Sequence, residues 1–334
     1  MRIARAPLSP RRLAAALAAG ALVLAAALAA GALFGASGVG WASLAGGLDA
    51  GERAILVEVR LPRVAAAAAL GAALSLAGVA FQALLRNPLA DPYVLGVSGG
   101  ASLGGVVALV AGVPGAILPL AAFAGALATL AGLERLATVG GRLDVLTLLL
   151  TGAVFNATSA AAIVLVQVLA SREELHAVVA YLLGRVPVLG GGALAALGGA
   201  ALLGALALGA RGRSLNALAL GEEGAMQVGV DVERLKRGVF VVGALLTALA
   251  VSWAGLVGFV GLVVPHLVRR LFGPDHRLLA PLAALGGAAF LVVADLVARL
   301  AMVPRELPVG AITALVGGPF FLVVLRRRRE ARGG

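Results

Sequence analysis

Cysteine is absent from the 334 residues, and lysine occurs once, at Lys236. The missing cysteines exclude disulfides, iron–sulfur clusters and thiolate metal sites. Charged residues make up only 13% of the chain, and its three histidines, His176, His266 and His276, lack metal-ligand spacing. No glycine-rich phosphate loop leads into the single lysine, so ATP hydrolysis by the usual P-loop is excluded. The sequence predicts no bound cofactor and no metal site.

Apolar residues dominate what is present. They make up 61% of the chain, and the mean hydropathy is +1.04. A soluble domain of this length cannot bury so much apolar surface, because too much of it is exterior. At about 20 residues per span, the length accommodates about ten transmembrane helices. We therefore predict an all-α polytopic membrane protein whose residues 1–334 form a single transmembrane domain.

The predicted spans alternate with short polar connections. They lie near residues 13–34, 61–85, 94–113, 115–134, 143–169, 188–209, 238–256, 257–272, 278–298 and 308–325. The basic start of the chain also fits a signal peptide. The first apolar run is longer than the 7–15 residues of a signal-peptide core, which favours an uncleaved span.

The 27 basic residues outnumber the 16 acidic residues, and they lie between apolar runs. This placement indicates membrane topology and not a nucleic-acid surface. With the N-terminus in the cytoplasm, most of the basic residues fall on the cytoplasmic side. The positive-inside rule then predicts that both termini are cytoplasmic and that the number of spans is even.

One segment, at residues 86–105, interrupts the apolar pattern. Its prolines remove backbone donors and disfavour helix in the residue before them, and its glycines permit close backbone approach. Between two apolar runs, such a segment predicts a broken helix that lines a cavity or lies buried in protein, as in transporters. The candidate residues of this break are Asn87, Pro88, Asp91, Pro92, Gly96, Ser98, Gly99 and Gly100.

A weak internal repeat places a second glycine-rich segment after Trp253. Its candidate residues are Gly258, Gly261, Pro265 and His266. In the predicted topology the runs before the two segments cross in opposite directions, which indicates two inverted halves with a pathway between them. The alternative is that membrane helices are simply rich in glycine.

The pattern around Ser98 fits the G-x-S-x-G motif of serine hydrolases. A nucleophile elbow needs a preceding strand, and none is predicted here. An intramembrane serine protease would need a histidine on a facing helix, for which His266 is the candidate. The GxxxG spacing from Gly96 to Gly100, and from Gly100 to Gly104, explains the pattern more economically as helix packing.

Several polar residues lie inside apolar runs. Asp295 precedes Arg299 by one helical turn, which favours an i,i+4 ion pair over a proton relay. Asn156 and Gln167 lie in the fifth span. Each could bond to a neighbouring helix or face a pathway.

The longest polar interruption, at residues 211–237, lies on the predicted cytoplasmic side. Ser214 or Asn216 could cap its first short helix. A plain connection between two spans needs only a few residues, and this one carries apolar residues among acids. We interpret it as a docking surface for a soluble partner. A loop packed on its own helix ends is the alternative.

Four motifs in order resemble the FecCD-type permeases. They lie at residues 86–105, 215–235, 255–277 and 306–310. These permeases are the membrane subunits of ABC importers for iron–siderophore, haem and vitamin B12. The resemblance covers nearly the whole chain and implies ten spans and a second permease subunit, as a homodimer or close heterodimer. It also implies two ATPase subunits, an extracytoplasmic binding protein and the inner membrane of a prokaryote.

The resemblance also implies roles for particular residues. The ATPase-coupling candidates are Leu218, Leu220, Gly221, Glu222, Glu223, Ala225, Met226, Val228 and Gly229. The binding-protein docking candidates are Arg60, Arg63, Arg299 and Arg305. These arginines could instead reach membrane lipid or pair with Glu58, Asp295 and Glu306. The chain departs from its relatives at Arg185 and in the coupling loop at residues 224–226.

The leading interpretation is a non-catalytic permease subunit that moves a metal chelate by alternating access, with ATP hydrolysed by a separate subunit. The alternative is a secondary transporter or exporter that works without an ATPase. A proton- or sodium-coupled carrier would be expected to hold several carboxylates near the midplane, and such residues are scarce here.

Overall fold

The computed structural model describes residues 9–35 and 47–333, which are almost entirely helical. In chain order the α-helices are α1 (Pro10–Leu33), α2 (Ala50–Ala54), α3 (Leu61–Leu84), α4 (Val97–Val110), α5 (Leu118–Ala137), α6 (Val145–Leu169), α7 (Arg172–Leu182), α8 (Gly191–Ala210), α9 (Gly212–Leu218), α10 (Glu222–Gln227), α11 (Val232–Ala254), α12 (Val260–Phe272), α13 (His276–Leu300) and α14 (Val309–Gly333). A π-helix (Ile55–Arg60) joins α2 to α3, and a 3₁₀ turn (Pro92–Leu95) precedes α4. Strands β1 (Thr138–Val139) and β2 (Arg142–Leu143) form a small antiparallel hairpin.

Ten of these helices correspond to the ten predicted spans. Within the described ranges, seven helices are long and apolar enough to cross a membrane. Helix α4 and the Val309–Val324 part of α14 are apolar but shorter, and α12 has 13 residues. The prediction of an all-α polytopic membrane protein is confirmed.

Helix α3 lies at the centre of the bundle and packs against α13, α11, α8 and α12. Glycine pairs allow two of these contacts to be close. A Cβ at Gly71 would lie 2.7 Å from the carbonyl carbon of Gly287, and a Cβ at Gly78 would lie 2.6 Å from Cα of Gly261. Small residues let helix backbones approach in this way, which compensates for the weak hydrophobic drive between helices in lipid.

Two short helices each begin after a left-handed residue. Helix α4 follows Gly96, at φ 86°, and α12 follows Phe259, at φ 67°. A positive φ is common for glycine but uncommon for phenylalanine, so the surrounding structure must hold Phe259 in place. One break follows α3 and the other follows α11. These are the positions at which the two predicted inverted halves place them.

Two features lie outside the predicted spans. The second span begins earlier than residue 61, because a capping box between Asp49 and Glu52 starts helix α2. The connection after the fifth span contains α7, which begins with a capping box between Ser171 and Glu174. Val178 and Tyr181 of α7 are buried and pack beside α4. This connection therefore forms part of the packed bundle.

Candidate functional site

The first helix break is built from short-range hydrogen bonds. The carboxamide oxygen of Asn87 accepts from the amide of Leu89 at 3.0 Å. The carboxylate of Asp91 accepts from the amide of Tyr93 at 2.9 Å and so caps the 3₁₀ turn that begins at Pro92. Pro88 and Pro92 need no amide partner, so the segment turns with few unsatisfied donors.

Tyr93 joins the two breaks. Its hydroxyl donates to the carbonyl of Val257 at 2.8 Å and accepts from the amide of Val257 at 2.9 Å. Its own carbonyl accepts from the side chains of Asn156, at 2.7 Å, and Ser98, at 3.5 Å. Backbone groups that leave a helix inside a membrane protein need such partners.

Gln82, near the C-terminal end of α3, makes a second link between the breaks. Its amide nitrogen donates to the carbonyls of Ala90, at 3.3 Å, and Gly261, at 3.1 Å. Its amide oxygen accepts from Arg269 at 2.9 Å. The first break, helix α3 and helix α12 are therefore connected by one hydrogen-bonded group.

Glycines give the first break its close contacts with neighbouring helices. A Cβ at Gly96 would lie 2.9 Å from the carbonyl of Gly152, and one at Gly99 would lie 2.6 Å from the carboxamide oxygen of Asn156. A Cβ at Gly100 would lie 2.7 Å from the carbonyl of Gly125. The glycines of this segment therefore serve helix packing, as the GxxxG interpretation predicted.

The second break is closely packed at Gly261, where a Cβ would lie 2.5 Å from the ring of Pro92, and open at Gly258. A Cβ at Gly258 would touch only the ring of Tyr93, at 3.8 Å. Pro265 lies buried inside α12, and the ring of His266 lies edge-on to that of Phe320 at 6.0 Å. The hydroxyl of Ser98 donates to a carbonyl, an arrangement that does not activate a nucleophile. The translocation roles of these residues stay predictions.

The loop at residues 211–237, which the sequence predicts to be cytoplasmic, is tied to two spans. Asn216 on α9 donates to the carboxylate of Asp275 at 2.8 Å and accepts from the amide of His276 at 2.9 Å, at the start of α13. Glu222 on α10 pairs with Lys236 of α11 at 3.2 Å. Lys236 also pairs with Glu233 at 2.7 Å. The loop is thus fixed to α11 and α13 by polar contacts on both of its short helices.

The carboxylate of Asp275 is held in its charged form outside the spans. Hydrogen bonds from Arg277 lower the pKa of Asp275 to about 2, and Asn216 adds to this effect. Asp275 also caps helix α13. One carboxylate therefore connects the loop, the start of α13 and Arg277.

The structure divides the coupling candidates into an inner and an outer set. Leu218 and Ala225 are fully buried, whereas Leu220 and Val228 are 88% and 71% exposed. Met226 is exposed, and so is Glu223. Leu218 and Ala225 pack the loop onto the bundle, so their side chains are not part of its exposed surface. Their role in coupling stays a prediction.

The three remaining candidates have structural positions of their own. Gly221 and Gly229 adopt φ values of 126° and 82°, which a side chain would strain. Glu222 is half-buried against Lys236. Their role in coupling stays a prediction.

Two of the docking arginines are also buried. A nitrogen of Arg60 donates to the carbonyl of Ala32 at 2.9 Å, and Arg299 donates to the carbonyl of Gly31 at 3.1 Å. Both therefore satisfy carbonyls at the C-terminal end of α1, where cations are favoured by the helix dipole. Both side chains are buried in this structure, and their roles in binding-protein docking stay predictions.

Arg63, whose side chain is 15% exposed, lies in a small ion-pair network. It pairs with Asp295 at 2.9 Å and with Glu306 at 2.8 Å, and Asp295 also pairs with Arg299 at 3.0 Å. The i,i+4 pair expected between Asp295 and Arg299 is therefore confirmed. A cavity of about 490 Å³ lies beside Arg63 and Arg185. Of the four docking candidates, Arg63 and the exposed Arg305 remain accessible.

The sequence motifs did not point to Tyr93, Tyr181 and Gln82 as linking residues. The chain has only two tyrosines, and both donate to backbone near the second break. The hydroxyl of Tyr181 donates to the carbonyl of Val251 at 3.2 Å. A tyrosine in an apolar stretch needs a partner for its hydroxyl, and this is the signal that would have pointed to both residues.

Comparison with known proteins identifies the family. Residues 16–327 match the FecCD transport family. An ABC transporter permease of Bacillus subtilis, YvrB, is 47% identical, over 84% of this chain and 80% of that protein. The cobalamin import permease BtuC of Halobacterium salinarum is 42% identical, over 86% and 77%. The hemin transport permease HmuU of Yersinia pestis is 39% identical, over 84% and 85%.

A solved structure of a metal-chelate type ABC transporter in an inward-facing conformation has the same fold. It superposes with a TM-score of 0.83 at 29% identity and covers 94% of this chain and 99% of that chain. The chain is a multi-pass membrane protein that belongs to the FecCD transport family.

Proposed function

We propose that this chain is the permease subunit of an ATP-driven importer for a metal chelate, of the class of iron–siderophores, haem or cobalamin. The observation that carries the proposal is the cytoplasmic loop at residues 211–237. Its inner side is fixed to α11 and α13, and its outer side presents exposed apolar side chains, among them Leu220, Met226 and Val228. An apolar surface held rigidly outside the membrane suits a soluble partner that exerts force.

The partners follow from this assignment. Two ATPase subunits bind the loops of two permease subunits, which form a homodimer around the pathway. A binding protein delivers the chelate at the outer face, near Arg63 and Arg305. The chain lies in the inner membrane of a prokaryote with both termini in the cytoplasm, and it carries no resident cofactor and performs no covalent chemistry.

The contacts suggest how movement of the loop reaches the pathway. Lys236 couples α10 to α11, and Asn216 couples α9 to α13. Helix α11 ends at the second break, where Val257 is bonded to Tyr93. A displacement of the loop would therefore move both breaks together. Alternating access needs such a bistable connection between the ATPase and the irregular backbone at the pathway.

A secondary transporter without an ATPase is the second candidate. It would need a carboxylate that can exchange protons or ions. The buried carboxylate of Asp295 instead pairs with both Arg63 and Arg299. This arrangement supports the ATP-driven importer.

Reconstitution tests the proposal. The chain would be incorporated into proteoliposomes with its ATPase, and uptake of labelled cobalamin, haem and a ferric siderophore would be measured with the binding protein outside. We expect uptake of one chelate that requires ATP and the ATPase. Uptake that persists without the ATPase and follows an imposed proton gradient would overturn the proposal in favour of a secondary transporter.

A further inference from the structure

An apolar groove runs along the outside of the bundle between α1 and α12, with α13 as its floor. Its volume is about 690 Å³, and almost all of its lining is apolar. The groove wall is formed by Val23 and Ala26 of α1 and by Leu271 of α12, and the floor includes Gly286. Val23 and Leu271 are largely exposed. The groove is therefore open towards the lipid.

Small residues create the groove. Helix α1 packs onto α13 through Gly20, where a Cβ would lie 3.1 Å from Leu282 and Leu285. On the floor, a Cβ at Gly286 would lie 3.1 Å from Val264. Helix α1 therefore rests on α13 and leaves a gap towards α12.

The groove is about as long, measured along α1, as one leaflet of the bilayer is thick. Its lining extends from Ala19 to Ala30 on α1. At about 1.5 Å per residue this distance is roughly 17 Å, close to half of a hydrocarbon core about 30 Å thick. A single acyl chain fits a groove of this length and polarity.

Arginines lie at one end of the groove. Arg11 and Arg12 are in the first turn of α1, and Arg270 is in the last turn of α12. Arg12 donates to the carbonyl of Phe272, a groove residue, at 3.2 Å, which places its guanidinium at the mouth. Arg11 and Arg270 are exposed. This end of the groove is the cytoplasmic end in the proposed topology.

We propose that this groove binds an anionic phospholipid of the cytoplasmic leaflet. One acyl chain lies between α1 and α12, and the headgroup phosphate contacts Arg11, Arg12 and Arg270. Guanidinium groups bind phosphate with paired hydrogen bonds, and basic pockets between spans at the cytoplasmic side select anionic headgroups. Charge complementarity thus favours an anionic lipid over a second copy of this chain. A second copy would place its own arginines against Arg11, Arg12 and Arg270. The choice of leaflet rests on the proposed topology, whereas the site itself does not.

Native mass spectrometry of the purified full chain in detergent tests the proposal. The chain would be titrated with phosphatidylglycerol and with phosphatidylcholine of the same acyl chains. We expect tighter binding of phosphatidylglycerol. Changing Arg11, Arg12 and Arg270 to Gln should weaken that binding roughly fivefold per arginine. Arg135→Gln, an exposed cytoplasmic-side arginine remote from the groove, serves as the matched control and should have no effect.

A second pair of variants tests the acyl-chain position without changing charge. Ala26→Trp fills the groove, whereas Ala25→Trp adds the same side chain on an exposed position of α1 outside it. Only Ala26→Trp should reduce bound lipid. Equal binding of the two lipids, or an unchanged lipid load in Ala26→Trp, would overturn the proposal. If a second copy fills the groove, the parent chain should bind no lipid and Ala26→Trp should lose the dimer. That result would also overturn the lipid proposal.

Discussion

The hydroxyl of Tyr93 lies 2.8 Å from the carbonyl oxygen and 2.9 Å from the amide nitrogen of Val257, a residue 164 positions later in the chain. One side chain from the first helix break thereby satisfies both backbone groups of a residue in the second. Backbone that leaves a helix within a membrane would otherwise carry unpaired polar groups, at a cost of several kcal/mol each. The two breaks therefore depend on each other for stability.

Tyr93→Phe tests this dependence. Removal of the hydroxyl leaves the amide and carbonyl of Val257 without their partner, so we expect a loss of about 1–3 kcal/mol in stability and reduced uptake. Tyr181→Phe is the matched control, because its hydroxyl donates to one carbonyl only, that of Val251. Thermal unfolding in detergent would be measured for both variants. Equal stability of Tyr93→Phe and the parent protein would contradict the linked-break account.

Gly100→Leu tests the close packing of α4 on α5. The new side chain would meet Thr129 and the carbonyl of Gly125, and overpacking of this kind typically costs about 1–3 kcal/mol. Gly198→Leu is the control, since nothing lies within 4 Å of a Cβ built there. We expect a lower unfolding temperature and lower uptake for Gly100→Leu alone. Normal transport by a well-folded Gly100→Leu protein would show that the packing is not required.

The exposed side of the cytoplasmic loop can be separated from its buried side. Leu220, Met226 and Val228 changed together to Ser should leave stability unchanged, because these side chains are exposed, while uptake is lost and ATP hydrolysis no longer depends on the chelate. The buried Leu218 behaves differently, and Leu218→Ser should lower the unfolding temperature. Proteoliposomes would report ATP hydrolysis and uptake together. Undiminished coupled uptake in the triple variant would mean that the ATPase binds elsewhere.

Arg305 is the cleanest test of binding-protein docking. It is exposed, so Arg305→Glu should weaken the affinity and reduce its dependence on salt without destabilising the permease. Arg299→Gln should instead destabilise the permease and leave the affinity unchanged, because it removes donors to Gly31 and to Asp295 inside the bundle. Affinity would be measured across a salt series and unfolding at one ionic strength. An affinity that is lower in Arg299→Gln than in Arg305→Glu would reverse this assignment.

Asp275 predicts a stability that depends on pH. Its pKa in the folded chain is about 2, lowered from 3.8, so the carboxylate stabilises the fold above pH 4 and this contribution is lost as the pH falls towards 2. Asp275→Asn removes the charge at every pH. The variant should be less stable than the parent at pH 7, and the difference should shrink at pH 3. Unfolding measured at the two pH values would check this, and a constant difference would mean that the charge contributes nothing.

Much of the architecture follows from local features of the sequence. Long apolar runs determine the spans. Pro88, Pro92 and Gly96 determine where the helix breaks between two of these runs, because the backbone preferences of proline and glycine act within a few residues. The i,i+4 pair of Asp295 and Arg299 follows from helix geometry in the same way. The family was also recognisable at this level, since its motifs are continuous segments.

Tertiary structure alone decided which side chains face outwards. Leu218 and Leu220 are identical residues two positions apart in one loop, yet the first packs against the bundle and the second is 88% exposed. Arg60 and Arg63 lie one turn apart, and the end of α1 covers only the first. Burial and ion pairing depend on which groups lie opposite in space, and these come from distant parts of the chain. For that reason the pairing of Tyr93 with Val257 could not be read from either segment by itself.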